Sequence, residues 1–315
     1  AVAAARAQNP VVVGVTGVSR AQPGIAVLAG RGLDSVRTIV QRDLQNSDRF
    51  TVSILSDSSA TLVAPFDPAS VKGIGLSYVV ELEPAINGVD IKLWDAATGT
   101  VRQQASRALD LSGIGDARIT IHQLSDQIVN WTGGLGIAAT RIAFKMKNGT
   151  EDAIWRIDSD GANLVRVSSR SKITIAPAWS PDNSAIAYSE NSDSRWTLYI
   201  QKLATGTRTA VATQTPGSAY GAAFSPDGKS LAFTFLGEGA GSLIETVDIT
   251  RNCCAHELTH DRRNADNSSP TYSPNGRQIA YISNRTGTPQ IWTMDAADGL
   301  SAEQAVPVSF DDKSR

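Results

Sequence analysis

The sequence predicts an α/β N-terminal domain, a mixed sheet with two helices, followed by an all-β propeller, and three observations predict it. First, "AWSPDNSAIAYSE" from Ala178, "AFSPDGKSLAFTF" from Ala223 and "TYSPNGRQIAYIS" from Thr271 are copies of one unit. Second, their prolines, Pro181, Pro226 and Pro274, stand 45 and 48 residues apart, a propeller-blade period. Third, the N-terminal half lacks this repeat and carries two stretches of helical periodicity among apolar runs.

The bulk composition narrows the function classes. A chain of 315 residues with 41% hydrophobic content can bury real cores in about two domains. Its 29 basic and 31 acidic side chains leave a net charge of -2, which argues against nucleic acid or a membrane surface as partner. No apolar run approaches the roughly 18 to 20 residues of a membrane span, so no direct membrane insertion is expected.

Taken in order, residues 1–10, "AVAAARAQNP", read as a signal-peptide remnant or a tail, with A-x-A arrangements that predict export. Residues 11–138 form the expected α/β domain. "VVVGVTGV" reads as a strand, and "LDSVRTIVQRDLQNSDRF" as an amphipathic helix with Leu33, Val36, Ile39, Val40 and Leu44 on one side. "FTVSIL" reads as a second strand. From Leu76 apolar and polar residues alternate across the turns "INGV" and "AATG", the pattern of an antiparallel meander. "DARITIHQLSDQIVNWTGG" reads as a closing helix stopped by a Gly pair, with His122 a residue of its packed face rather than a catalyst.

Residues 139–315 form the expected partial propeller. Ser-Pro-Asp/Asn-Gly is a tight-turn sequence: Pro fixes φ, and Gly or Asn accepts positive φ. It joins the first two strands of a unit. A polar turn leads to a third strand at Ile154-Trp155, Leu198-Tyr199, Leu243-Ile244 and Ile291-Trp292, and a last short strand ends at Val167-Ser168, Ala212-Thr213 and Leu258-Thr259. Four antiparallel strands make a blade. "RIAFKM" at Arg141 begins an earlier unit without its own Ser-Pro-Asp-Gly, and "VPVSFDDKSR" reads as a fourth strand running into the next loop.

That register decides the one conspicuous motif. His256-Glu257-Leu258-Thr259-His260 is a literal H-E-x-x-H, which binds zinc only where a helix brings both imidazoles to one face. Here it falls on the fourth strand of the third unit, where residues four apart are separated by roughly 13 Å rather than about 6 Å. Cys253 and Cys254, in the turn before it, read as two thiols, as an adjacent-residue disulfide, or as a Cys/His metal site with His256 and His260. "KGIGL" at Lys72 is too short for a phosphate loop, and no G-x-S-x-G occurs. No catalytic residue, cofactor or metal is assigned.

"VQRDLQNSDRF" (Val40 to Phe50), "IKLWDAATG" (Ile91 to Gly99), "HQLSDQIVNWTGGLGIAATRIAF" (His122 to Phe144) and "SSPTYSPNGRQIAYISNRTGTPQIWTMDAADG" (Ser268 to Gly299) resemble the TolB family of the Tol-Pal system. The resemblance runs from Gln8 to Arg315. It implies a non-enzymatic periplasmic scaffold, a monomer when complete, that serves outer-membrane integrity and constriction during cell division. The implied partners are TolA and the lipoprotein Pal. TolA would engage the N-terminal segment, here Gln8, Asn9, Pro10, Val11, Val12, Val13, Gly14 and Val15. Pal would face loops entering the first strand of each blade, here Thr174, Ile175, Ser218, Ala219, Tyr220, Asn264, Asp266 and Asn267. The family's propeller has six blades and about four units are present, so the expectation is a fragment with an exposed sheet edge. The alternative expectation is the propeller part of a larger peptidase whose catalytic domain lies beyond residue 315.

Overall fold

The computed structural model of the chain describes residues 22–54, 71, 73–110, 114–149, 151–169, 173–237, 241–259, 265–297 and 305–308. Two compact units divide between Ala139 and Thr140.

The N-terminal unit contains β1 (Gly24–Ala29), α1 (Asp34–Asn46), β2 (Thr51–Ser53), β3 (Leu76–Ala85), β4 (Gly88–Asp95), β5 (Thr100–Ala108) and α2 (Ile114–Trp131). The sheet order is β2-β1-β3-β4-β5, with β1 parallel to both neighbours and β3, β4 and β5 forming the expected antiparallel meander. β1 was not anticipated. Its "GIAVLA" is a short, almost wholly buried run, which lacks the alternation that marks a half-exposed strand. The expected strand at 11–18 lies outside the described residues.

α1 buries Val36, Ile39, Val40 and Leu44, with Leu33 buried just ahead of it. It stops four residues before the end of the stretch expected to be helical, which runs to Phe50. The Ser47 amide still donates to the Asp43 carbonyl, but Asp48 takes φ +54, and Phe50 is left to pack beside the strand that follows. Ile121, Leu124, Ile128 and Val129 of α2 join the same core. His122 is buried on this face, its Nδ1 2.7 Å from Asp43 Oδ2 of α1, and Ser125 Oγ donates to the same oxygen at 2.7 Å.

Among the described residues the C-terminal unit holds four sheets. β6 (Arg141–Asn148), β7 (Glu151–Asp158) and β8 (Val165–Arg166) form a three-stranded first blade. The second contains β9 (Thr174–Trp179), β10 (Ala185–Ser192), β11 (Arg195–Lys202) and β12 (Arg208–Ala210). The third contains β13 (Ser218–Phe224), β14 (Ser230–Leu236), β15 (Leu243–Asp248) and β16 (Cys253–Glu257). The fourth contains β17 (Asn267–Tyr272), β18 (Gln278–Ser283), β19 (Gln290–Asp295) and β20 (Val306–Pro307). β13 packs between β9 and β17, so the first strands of successive blades lie side by side.

The Ser-Pro-Asp/Asn turn recurs for a chemical reason. Ser180, Ser225 and Ser273 each donate their hydroxyl to the acid or amide two residues on, at 2.6 to 2.7 Å. Each also accepts the amide five residues on, at 2.9 to 3.0 Å. Asn183, Gly228 and Gly276 take φ of +59, +69 and +70 at one repeat position, as expected of Asn and Gly in this turn. A second positive-φ position recurs at Ala176, Gly221 and Ser269, where each first strand shifts register.

One detail of the expected register is corrected. Phe144, Tyr188, Phe233 and Tyr281 pair with Trp155, Tyr199, Glu245 and Trp292 respectively. Ile244-Glu245, not Leu243-Ile244, therefore matches Ile154-Trp155, and an acid stands where the other blades place an aromatic.

Candidate interaction face

Of the residues expected to face a protein partner, Thr174, Ile175, Ser218, Ala219, Tyr220 and Asn267 sit in the first residues of β9, β13 and β17 rather than on loops ahead of them. Asn264 lies outside the described residues, as do Gln8 to Val15. Among the described candidates only Asp266 precedes its strand.

Several of these side chains are already engaged in joining blades. Thr174 is buried, and its hydroxyl reaches the Asp152 carbonyl of the first blade at 3.4 Å. Ser218 Oγ accepts the Trp196 amide of the second blade at 3.1 Å. Asn267 is buried, with its backbone amide 2.9 Å and its side-chain Nδ2 3.2 Å from the Ser242 carbonyl of the third blade. Ala219, at the repeat position of Thr174 and Asn267, is buried in the core between blades. Thr174, Ser218, Ala219 and Asn267 thus take part in joining blades: a first strand must satisfy its neighbour's edge groups before it presents anything outward.

Ile175, Tyr220 and Asp266 remain partly or fully accessible. Tyr220 and Asp266 come from adjacent blades, and the structure brings them together: burial pushes the Tyr220 phenol up, and the Asp266 charge adds to the rise. Asp266 is held in place from both sides, accepting the Ser242 amide at 3.3 Å while its own amide donates to Asn284 Oδ1 at 2.7 Å. Tyr220 and Asp266 thus place a half-buried phenol beside a fixed carboxylate, and Ile175 holds the repeat position of Tyr220 one blade earlier.

The H-E-x-x-H stretch is not helical. His256 and Glu257 end β16, and the Leu258 amide still donates to the Ile244 carbonyl of β15 at 2.8 Å. His260 and Asp261 lie outside the described residues. Cys253 and Cys254 open β16 itself rather than the preceding turn, and they are joined as an adjacent-residue disulfide. Glu245 was missed by sequence reading, although the aromatics at its three repeat equivalents were a signal for it. It is fully buried, neither carboxylate oxygen has a well-formed hydrogen bond, and Glu257 lies directly across the strand pair. Burial pushes its carboxyl up to about 7, a rise opposed by the nearby Gln214 amide and increased by the Glu257 charge.

The family profile of the TolB beta propeller domain matches residues 129–314, more than half of the chain. The chain belongs to the TolB beta propeller family. A curated Tol-Pal system protein TolB from Albidiferax ferrireducens is 34% identical over 208 residues, which is 63% of this chain and 48% of that protein. The chain thus spans about half the length of that relative. The crystal structure of TolB from Acinetobacter baumannii superimposes with a TM-score of 0.75 at 27% identity, covering 92% of this chain and 72% of the other. That likeness extends the TolB fold to most of the N-terminal α/β unit. Among the described residues no helix is long and apolar enough to cross a membrane.

Proposed function

We propose that the protein is a periplasmic scaffold of the Tol-Pal system that binds the lipoprotein Pal on its propeller and TolA through Gln8 to Val15. In this role it supports outer-membrane integrity and envelope constriction during cell division, and it catalyses no reaction. The domain division at 11–138 and 139–315 follows the same reading, with the α/β part serving TolA and the blades serving Pal. The observation that carries the proposal is the joint occurrence of both architectures in one chain, matched to TolB over 92% of its length.

Within the propeller, Ile175, Tyr220 and Asp266 are the residues proposed to meet Pal, because the other described candidates are engaged between blades. The test is binding of the protein expressed from its complete gene to immobilised Pal, with a Tyr220→Ala, Asp266→Ala double variant in parallel. A loss of more than about tenfold in the variant supports the face, taking two central contacts at roughly 1 kcal/mol each. Absence of binding by the unmodified protein removes the Pal assignment. Equal binding by both moves Pal to another surface.

A further inference from the structure

β16 departs from the fourth strand of the second blade in one respect. β12 pairs with β11 without interruption, through Tyr199 with Ala210, Ile200 with Thr209 and Gln201 with Arg208. In the third blade, Asp248 pairs with Cys253 and Thr246 with His256, so Val247 alone stands opposite both Cys254 and Ala255. This is a β-bulge. Cys254 takes φ +63 within it, a conformation that most side-chain-bearing residues adopt against steric resistance, and Asn252, a residue type that tolerates it, takes φ +49 just before it. The disulfide between Cys253 and Cys254 closes a small ring across this bulge.

The residue ahead of that ring reaches into the neighbouring blade. Asn252 Oδ1 accepts the Ala212 amide at 3.0 Å, and Asn252 Nδ2 donates to the Ala210 carbonyl at 2.9 Å. β12 is the edge strand of its sheet, and the carboxamide supplies it with the donor and acceptor that an added strand would supply. The front of the turn is fixed independently: Asp248 accepts the Thr250 amide at 2.9 Å and the Arg251 guanidinium at 2.7 and 2.9 Å. Asn252 is therefore held between a carboxylate anchor on one side and the disulfide ring on the other.

We propose that the Cys253–Cys254 disulfide is a redox modification site whose reduction releases the Asn252 clamp and uncovers the edge of β12. The reductant class is a dithiol. One of its thiolates attacks Sγ of Cys254, the exposed member of the pair, breaking the Sγ–Sγ bond and expelling the Cys253 thiolate. The second thiol of the reductant displaces Cys254 and closes the reductant's own disulfide. Two electrons and two protons pass to the protein, leaving two thiols. With the ring open, Cys254 returns to negative φ and the bulge moves Asn252 away from Ala210 and Ala212.

Hydrogen exchange at the Ala212 amide reads the clamp directly, because that proton is bonded to Asn252 Oδ1. The protein is compared oxidised and after treatment with dithiothreitol, with the mass gained on alkylation counting the thiols. Reduction is expected to add two alkyl groups and speed exchange at Ala212 at least tenfold, while amides of the N-terminal unit are unaffected. Asn252→Ala should exchange fast in both states, and a Cys253→Ser, Cys254→Ser variant should ignore the reductant. The proposal is overturned if the untreated protein already takes two alkyl groups, or if full reduction leaves Ala212 exchange unchanged. The decisive comparison uses the unmodified chain, so a variant that fails to fold does not remove the test.

Discussion

In the N-terminal unit, Asp43 is buried between α1 and α2 and accepts from Ser125 Oγ at 2.7 Å, with His122 Nδ1 at the same distance. Glu81, buried on β3, accepts the Trp94 indole at 3.0 Å with Lys92 Nζ 3.5 Å away. In the propeller, Glu245 is just as buried, yet neither oxygen is well bonded and the charge paired across from it is another acid, Glu257. Burying a carboxylate is expensive without partners and tolerable with them. The α/β unit meets that cost with partners, whereas the third blade meets it by keeping the proton. At the same repeat position the second and fourth blades place Tyr199 under Arg208, 4.4 Å from the ring, and Trp292 under Arg285, 4.7 Å away.

The largest effect is expected where partners are removed. Asp43→Ala takes the acceptor from a buried imidazole and leaves Ser125 only the Ile121 carbonyl at 3.2 Å. A cost of about 4 kcal/mol is expected, the order found when one member of a buried polar pair is deleted. Among the described residues both helices belong to the N-terminal unit, so urea unfolding followed by helical circular dichroism isolates this transition. A cost below about 1 kcal/mol would mean that the pairing adds little, and the contrast with Glu245 would lose its force.

The second test addresses the acid itself. The Glu245 carboxyl stands at about 7 in the fold against an ordinary 4.5. Between these values the folded chain holds a proton that the unfolded chain has released. Its contribution to stability is thus fully present below pH 4.5 and lost as pH rises through 7. At roughly 1.4 kcal/mol per unit, the total is about 3 kcal/mol. Glu245→Gln keeps the shape without the charge. It should match the unmodified protein near pH 5, exceed it by about 2 to 3 kcal/mol at pH 8, and remove that part of the pH slope. Parallel pH profiles for the two proteins would show that the carboxylate finds a partner when ionised.

How far these features were legible in the sequence depends on whether the physics was local. Pro181, Asn183 and Gly228 announced turns because ring closure and positive φ act within one residue, and the blades followed from their spacing. Ala176 and Ser269 share the left-handed position of Gly221, but neither residue type signals it; the demand comes from the shifted pairing with the next strand. β1 was hidden because burial on both faces erases alternation. The interaction face was half legible. Its strand ends could be located from the repeat, but the separation of Thr174, Ser218, Ala219 and Asn267 from Ile175, Tyr220 and Asp266 depends on the adjacent blade. Glu245 needed only a correct one-residue alignment of β15, which the glycine-rich turn before it obscured.

The smallest effect sharpens the same contrast at the surface. Asp227 is exposed and ionised at little cost, its carboxyl held below the usual range by the Ser225 hydroxyl first and the Lys229 amide second. Ser225→Ala deletes the 2.6 Å bond to Asp227 and the acceptor for the Ser230 amide at 2.9 Å. Water can reach Asp227, so only the turn-closing amide bond is irreplaceable, and the loss should be about 1 kcal/mol. The carboxyl of Asp227 should rise towards its ordinary value in the same variant, observable by nuclear magnetic resonance titration. A loss as large as that of Asp43→Ala would mean that the repeated serine supports each blade as a buried polar network does. A loss near 1 kcal/mol leaves it as a local turn device, used three times because each use stabilises a little and strains nothing.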